Sequence, residues 1–177
     1  MEILSQLNKL RAHPRTTAIG LALSISLLAG CATTATTDGQ VNANHKGYET
    51  QQGAIKALND SGQHRVASYS LNKAQCWLDV SYHEFSRNDR SDFVPEALTE
   101  SQRITDYLAA GNAPDGMDNP AHNTPLVNDS ALLRQDLWDI AANLKQLPGF
   151  SCAAQQISCA EVELVHAGNE FNQQGWR

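Results

Sequence analysis

The sequence is short of the residues that several classes of protein need. It has 13 Lys and Arg against 19 Asp and Glu, so it offers no basic face to nucleic acid or to anionic lipid. After residue 30 there is no apolar run of about 18 residues, which excludes a transmembrane helix in that part of the chain. No period-two alternation predicts a strand, and no repeat of about 34 or 40 residues predicts a solenoid.

Catalytic and metal-binding motifs are missing as well. No serine lies in a Gly-x-Ser-x-Gly turn, and no glycine-rich phosphate loop follows a strand. The histidines after residue 30 never repeat as His-x-x-x-His, and His83-Glu84 lacks the second histidine of a zinc protease motif. Residues 115–119 lack the spacing and the terminal glutamate of a calcium loop. The sequence therefore predicts no catalytic residues, no metal site, no cofactor and a protein that is not an enzyme.

A secretion signal stands at the start of the chain. Three basic residues precede the apolar residues 19–29, a run of the length found in signal peptides and too short to span a bilayer. Residues 28–31 read Leu-Ala-Gly-Cys, which resembles the lipobox cut by bacterial lipoprotein signal peptidase. We expect residues 1–30 to be removed and Cys31 to become the lipid-modified first residue, whose acyl chains anchor the protein in a membrane.

Two further segments follow the predicted cleavage site. Residues 31–47 are small, polar and non-periodic, which predicts a flexible tether spanning on the order of 20 Å; an ordered arm packed on the domain is the alternative. Residues 48–177 then form one domain with enough chain to bury a core. Without residues 1–30 the protein keeps 10 basic and 18 acidic side chains, a formal charge of −8.

The domain has helical periodicity throughout. Apolar residues recur at three- and four-residue spacing in segments that begin near Tyr48, His64, Ser91 and Ser130. Ser158 and Glu161 have the spacing of a capping box, which predicts the start of a last helix. The predicted fold class is all-α, with four to five antiparallel helices after a flexible, lipid-anchored tether. Residues 112–129 are rich in Pro, Gly, Asn and Asp, which predicts a long surface loop.

The cysteine content suits an oxidising compartment. With Cys31 lipidated, three cysteines remain, enough for one disulfide and one free thiol. A bridge between Cys152 and Cys159 would close a loop of about eight residues, and two separate reduced thiols are the alternative. Cys76 is expected to be a small buried hydrophobic residue.

Three aromatic residues are candidates for a protein-binding surface. Trp77 and Tyr82 lie on the predicted second helix, and Trp138 lies on the predicted fourth helix. Packing in the core is the simpler interpretation, whereas exposure of some of them would mark a binding groove.

Two stretches resemble a known family. Residues 73–79 read Lys-Ala-Gln-Cys-Trp-Leu-Asp, and residues 84–89 read Glu-Phe-Ser-Arg-Asn-Asp. This pattern resembles a recurring helix in the N-terminal region of OmpA-family, peptidoglycan-associated outer-membrane lipoproteins. Residues 159–170 and the final Gly-Trp-Arg are similar to the end of that region. The Asn-x-x-Leu-Ser-x-x-Arg-Ala helix of the family's C-terminal OmpA-like domain is absent.

The resemblance implies an envelope lipoprotein. Alanine rather than aspartate follows Cys31, which favours an outer-membrane protein that faces the periplasm. Peptidoglycan becomes an expected partner only if the chain is a fragment that has lost a C-terminal domain. We therefore expect a non-enzymatic, lipid-anchored protein with a structural or protein-interaction role among other envelope proteins. The alternative is a periplasmic ligand-binding module that uses residues 112–129 as a lid.

Overall fold

The computed structural model describes residues 41–173, so Cys31 and the predicted signal lie outside the described residues. Five α-helices follow one another: α1 His45–Asp60, α2 Tyr69–Ser86, α3 Phe93–Ala109, α4 Gln135–Lys145 and α5 Phe150–Asn172. Short 3₁₀ turns lie at Pro120–His122 and Val127–Asp129. The predicted all-α class is confirmed, since residues 41–173 contain no strand. None of the helices in this range is both long and apolar enough to cross a membrane.

Helix α2 lies at the centre of the helical domain. It packs against α1, α3 and α5, whereas α4 packs mainly against α5. The Trp77 and Leu71 side chains of α2 are completely buried, and Phe93 and Leu98 of α3 are completely buried as well. Full burial of side chains of this size stabilises the fold by about 1.5–3 kcal/mol each. The core is therefore built around α2, and α4 lies at its edge.

The domain begins earlier than the predicted boundary after Gly47. Helix α1 starts at His45, and the Asn44 side chain caps it by accepting a hydrogen bond from the Gly47 N–H at 2.9 Å. The Val41 N–H donates to a glutamine side chain of α3 at 2.9 Å. A Cβ at position 47 would collide with the Asn42 carbonyl, so only glycine lets this segment lie so close to α1. Residues 41–47, predicted to belong to a flexible tether, are ordered parts of the domain.

Helix α5 also begins earlier than predicted. It starts at Phe150, directly after the short Pro148-Gly149 turn that ends α4, and Ser158 lies fully buried inside it. The Ser158 hydroxyl donates to the Gln155 carbonyl at 2.9 Å and accepts from a buried asparagine of α2 at 2.7 Å. The capping-box prediction is therefore wrong. Ser158 lies inside α5 and its hydroxyl bonds to α2 across the core, so it does not cap the first turn of a helix.

The predicted Cys152–Cys159 disulfide is wrong. The structure joins Cys76 of α2 to Cys159 of α5, with Cα atoms 5.3 Å apart, and Cys152 is a free, exposed thiol. Cys152 and Cys159 lie seven residues apart in one continuous helix. That separation corresponds to about 10 Å of helix rise, which exceeds the Cα separation that a disulfide can bridge. The bridge instead connects the central helix to the last one.

Candidate functional site

The three aromatic residues proposed as an interaction surface have different environments. Trp77 is completely buried, so its assignment to a surface is wrong. Tyr82 is 46% exposed, and its ring packs edge-on against Tyr48 at 5.1 Å. Trp138 is half-buried on α4, and its indole N–H donates to the Leu133 carbonyl at 3.1 Å. The three side chains therefore do not form one aromatic patch.

An aliphatic groove lies between α4 and α5. Ile140 of α4 is 51% exposed, and Leu147, just after α4, is 55% exposed. The groove has a volume of about 440 Å³ and is lined chiefly by Leu137, Ile140, Ala141, Leu144, Ile157, Ala160 and Leu164. An adjoining depression of about 380 Å³ shares Leu144 and Ile157 with it. We call the two together the α4–α5 groove.

The groove exists because α4 has one main neighbour. Its apolar stripe was predicted from sequence, but α5 covers only one side of that stripe. Ala141 is buried against α5, whereas Ile140 and Leu144 remain open to solvent. Contiguous exposed apolar surface of this kind is typical of sites that bind another molecule.

Acidic residues predominate around the groove. Residues 135–172 contain five Asp and Glu and only one Lys. Glu163 lines the groove directly, and its side chain is 63% exposed. An apolar groove with this charge balance favours a partner that has an apolar stripe flanked by basic side chains.

Only part of residues 112–129, predicted to be a possible lid over a ligand pocket, packs onto the core: Asn119, Ala121 and Val127 are buried, whereas residues 112–118 are mostly exposed. Ala121 is completely buried, and Asn119 is 2% exposed. The Asn119 amide donates to the Ser70 hydroxyl of α2 at 2.8 Å and to the Pro114 carbonyl at 2.6 Å. A lid needs a weakly held segment that can open, and these buried contacts hold residues 119–121 in place.

A buried lysine of α2 also bonds to the same segment. The Lys73 ammonium is inaccessible to solvent and donates to the Ala121 carbonyl at 2.9 Å and to Glu161 at 2.7 Å. Glu161 also accepts hydrogen bonds from Tyr69 and Lys145. Helices α2, α4 and α5 and the long loop therefore meet at one carboxylate. Because these groups are enclosed and paired, we assign them a structural role.

Burial and pairing shift the pKa values of this network. Burial lowers the pKa of Lys73 to about 8, although the charge of Glu161 opposes the shift. Burial alone would raise the pKa of Glu161, but Lys73, Lys145 and Tyr69 outweigh it and the pKa is lowered. Burial, together with the Glu161 charge, raises the pKa of Tyr69. A carboxylate held charged between two lysines explains how the core tolerates these polar groups.

Two histidines and a glutamate form a second cluster, between α2 and α5. His83 Nε2 and His166 Nε2 lie 3.5 Å and 2.9 Å from the same atom, Glu84 Oε1. The Glu84 carboxylate is buried, His166 is mostly buried and His83 is exposed. Burial alone would lower the pKa of His166, but the hydrogen bonds that its ring donates to the Glu163 and Glu84 carboxylates outweigh this effect, and the pKa is raised. No sequence motif connects these residues, because His166 is far from His83 in the chain.

No protein-family model, curated protein or solved structure matches this chain. The resemblance to OmpA-family lipoproteins stays a prediction.

Proposed function

We propose that this chain is a non-enzymatic, lipid-anchored outer-membrane lipoprotein whose periplasmic helical domain binds another envelope protein. The binding surface in this proposal is the α4–α5 groove. The observation that carries the proposal is the exposure of Ile140, Leu144 and Leu147 along the α4–α5 groove at the edge of the domain. In line with the sequence resemblance, the domain would be the N-terminal part of an OmpA-family protein.

The disulfide supports the proposed location. Cys76 and Cys159 are bonded between two core helices, and structural disulfides persist in oxidising compartments such as the bacterial periplasm. Together with the lipobox at Cys31, this bridge favours an exported protein over a cytosolic one.

The partner that fits the groove best is an amphipathic helix with basic flanks. A cleft between two helices accepts the apolar face of a third helix, as in other helix-in-groove complexes. The acidic balance of residues 135–172 favours lysines and arginines beside that apolar face. In a dimer of this chain, the acidic α4–α5 segments of the two copies would repel each other. The charges therefore disfavour a second copy as the partner.

Site-specific photo-cross-linking in the native cells tests this assignment. A photo-reactive residue at position 140 should capture one envelope protein through a peptide that is apolar on one face and basic beside it. The same residue at position 52, an exposed glutamine of α1, should not capture that peptide. Adducts with lipid, with a second copy of the chain, or with no peptide of this type would contradict the proposal.

A matched pair of substitutions checks that the groove itself is responsible. Leu144→Asp places a charge in the groove and should weaken the position-140 cross-link by about tenfold or more, since hot-spot apolar contacts contribute at least ~1.4 kcal/mol. Asn143→Asp adds the same charge one residue earlier, on an exposed part of α4 away from the groove lining. The cross-link should persist in Asn143→Asp. Equal losses in the two variants would contradict binding in the groove.

A further inference from the structure

The cluster of His83, Glu84 and His166 has the composition of a metal site. Imidazole nitrogens and a carboxylate oxygen are common ligands of Zn²⁺, and two histidines with one glutamate complete the protein ligand set of several zinc proteins. One ligand atom from each of these three residues can be chosen so that all lie within 4.8 Å of one another. Helix α2 supplies His83 and Glu84, and α5 supplies His166.

Two of the three distances between the ligand atoms suit tetrahedral coordination. Ligand atoms about 2.0–2.1 Å from a tetrahedral zinc ion lie roughly 3.3 Å from each other. The two distances to Glu84 Oε1, 2.9 Å from His166 and 3.5 Å from His83, lie on either side of that value. The His83 side chain is 55% exposed, so it can rotate by the small amount needed to complete the geometry.

The surrounding groups orient these ligands as in known metal sites. His166 Nδ1 faces Glu163 Oε2 at 3.3 Å, which would hold the proton on Nδ1 and leave Nε2 free to bind a metal. Arg87 Nη1 donates a hydrogen bond to Glu84 Oε1 at 3.2 Å, which fixes the position of the buried carboxylate. The His166 ring also stacks on Phe93 at 5.6 Å, which restricts its rotation.

We propose that His83 Nε2, Glu84 Oε1 and His166 Nε2 bind one Zn²⁺ or a similar divalent transition-metal ion between α2 and α5. Three protein ligands leave a fourth position to water. Glu84 also lines a polar cavity of about 390 Å³. The site would connect the central helix to the last one at a second point, in addition to the Cys76–Cys159 disulfide.

Zinc titration of the full-length chain, purified in detergent, tests the site. A Cys152→Ser background removes the exposed free thiol, which is a competing zinc ligand. We expect one Zn²⁺ per chain in competition with a chromophoric chelator. Co²⁺ should give the intense visible bands of tetrahedral coordination without the thiolate charge-transfer band.

Variants distinguish this site from adventitious binding. His83→Ala removes an exposed side chain and His166→Ala a mostly buried one, and each should weaken zinc binding by about 100-fold or more. Glu163→Gln, which changes only the partner of His166, should weaken it by about 10- to 100-fold. His122→Ala, which changes an exposed histidine outside the cluster, should leave it unchanged. Circular dichroism with and without zinc checks that each variant is folded.

Three outcomes would overturn the proposal. One is an absence of stoichiometric binding at micromolar free zinc. Another is binding that survives both His83→Ala and His166→Ala, and the third is an equal loss in His122→Ala. Because His83 is exposed, its variant should fold even if His166→Ala does not, so the titration remains decisive.

Discussion

Glu161 is the residue on which the packing of the long loop depends most. Its carboxylate pairs with Lys73 and Lys145 and is 3% exposed. Glu161→Gln would leave the buried Lys73 ammonium without its counter-charge, and breaking a buried ion pair costs about 3–5 kcal/mol. We expect a loss of about 3 kcal/mol in the free energy of unfolding, measured by urea denaturation at neutral pH.

Asp139→Asn is the control for this experiment. Asp139 is an exposed α4 carboxylate that bonds only to a neighbouring glutamine at 2.9 Å, so its replacement should change the free energy of unfolding by less than about 0.5 kcal/mol. A similar loss in both variants would mean that overall charge, and not the buried pair, is responsible.

The pH dependence of the same variant provides a second check. The pKa of Glu161 is lowered from 4.5 in the folded protein, so its stabilising effect is present above pH 4.5 and is lost as the pH falls through the folded value. The wild type should therefore lose stability over this acidic range, and Glu161→Gln should lose less. Parallel acid curves for the two proteins would contradict the assignment.

The sequence shows part of the pattern of the buried network but not its pairing. Lys73 lies three residues after Ser70 and four before Trp77, on the helix face that was predicted to be apolar. A lysine on such a face requires a buried partner. Glu161 could not be identified as that partner, because it is 88 residues away and had been assigned to a helix cap.

Helices α2 and α5 are joined by the Cys76–Cys159 disulfide, which closes a loop of 83 residues. Chain-entropy arguments give about 4–5 kcal/mol for a loop of this length, as an upper estimate. We expect Cys76→Ser to lower the free energy of unfolding by several kcal/mol, measured by denaturation without reductant. Cys152→Ser removes only an exposed thiol and should change it by less than about 0.5 kcal/mol.

Reductant provides the complementary measurement. It should destabilise the wild type and the Cys152→Ser variant by the same amount and leave Cys76→Ser unaffected. If reductant left Cys152→Ser unaffected and destabilised Cys76→Ser, the pairing described here would be wrong.

Periodicity was sufficient to predict the helices but not their ends or their neighbours. The apolar stripes of α2, α3 and α4 follow from three- and four-residue spacing, which a helix dictates locally. The start of α5 at Phe150 was missed because the capping-box pattern at Ser158 also occurs inside helices. The α4–α5 groove could not be predicted for a different reason. Its exposure depends on which other elements of the fold cover α4, and no local sequence pattern encodes that.

In the whole molecule, the proposed lipid anchor would hold the α4–α5 groove close to the membrane. Residues 31–41 can span at most about 35 Å, so a lipid on Cys31 would keep the helical domain within that distance of the membrane surface. Such confinement raises the effective concentration of the domain towards partners held at the same membrane. The account therefore depends on lipid modification of Cys31.

Mass spectrometry of the N-terminal peptide, from the protein isolated from its native cells, tests this claim most directly. The account predicts a peptide that begins at Cys31 and carries acyl chains, and Cys31→Ser should move the protein from the membrane fraction to the soluble fraction. A peptide that extends upstream of Cys31, or an unmodified Cys31 in a protein that stays membrane-bound, would contradict it.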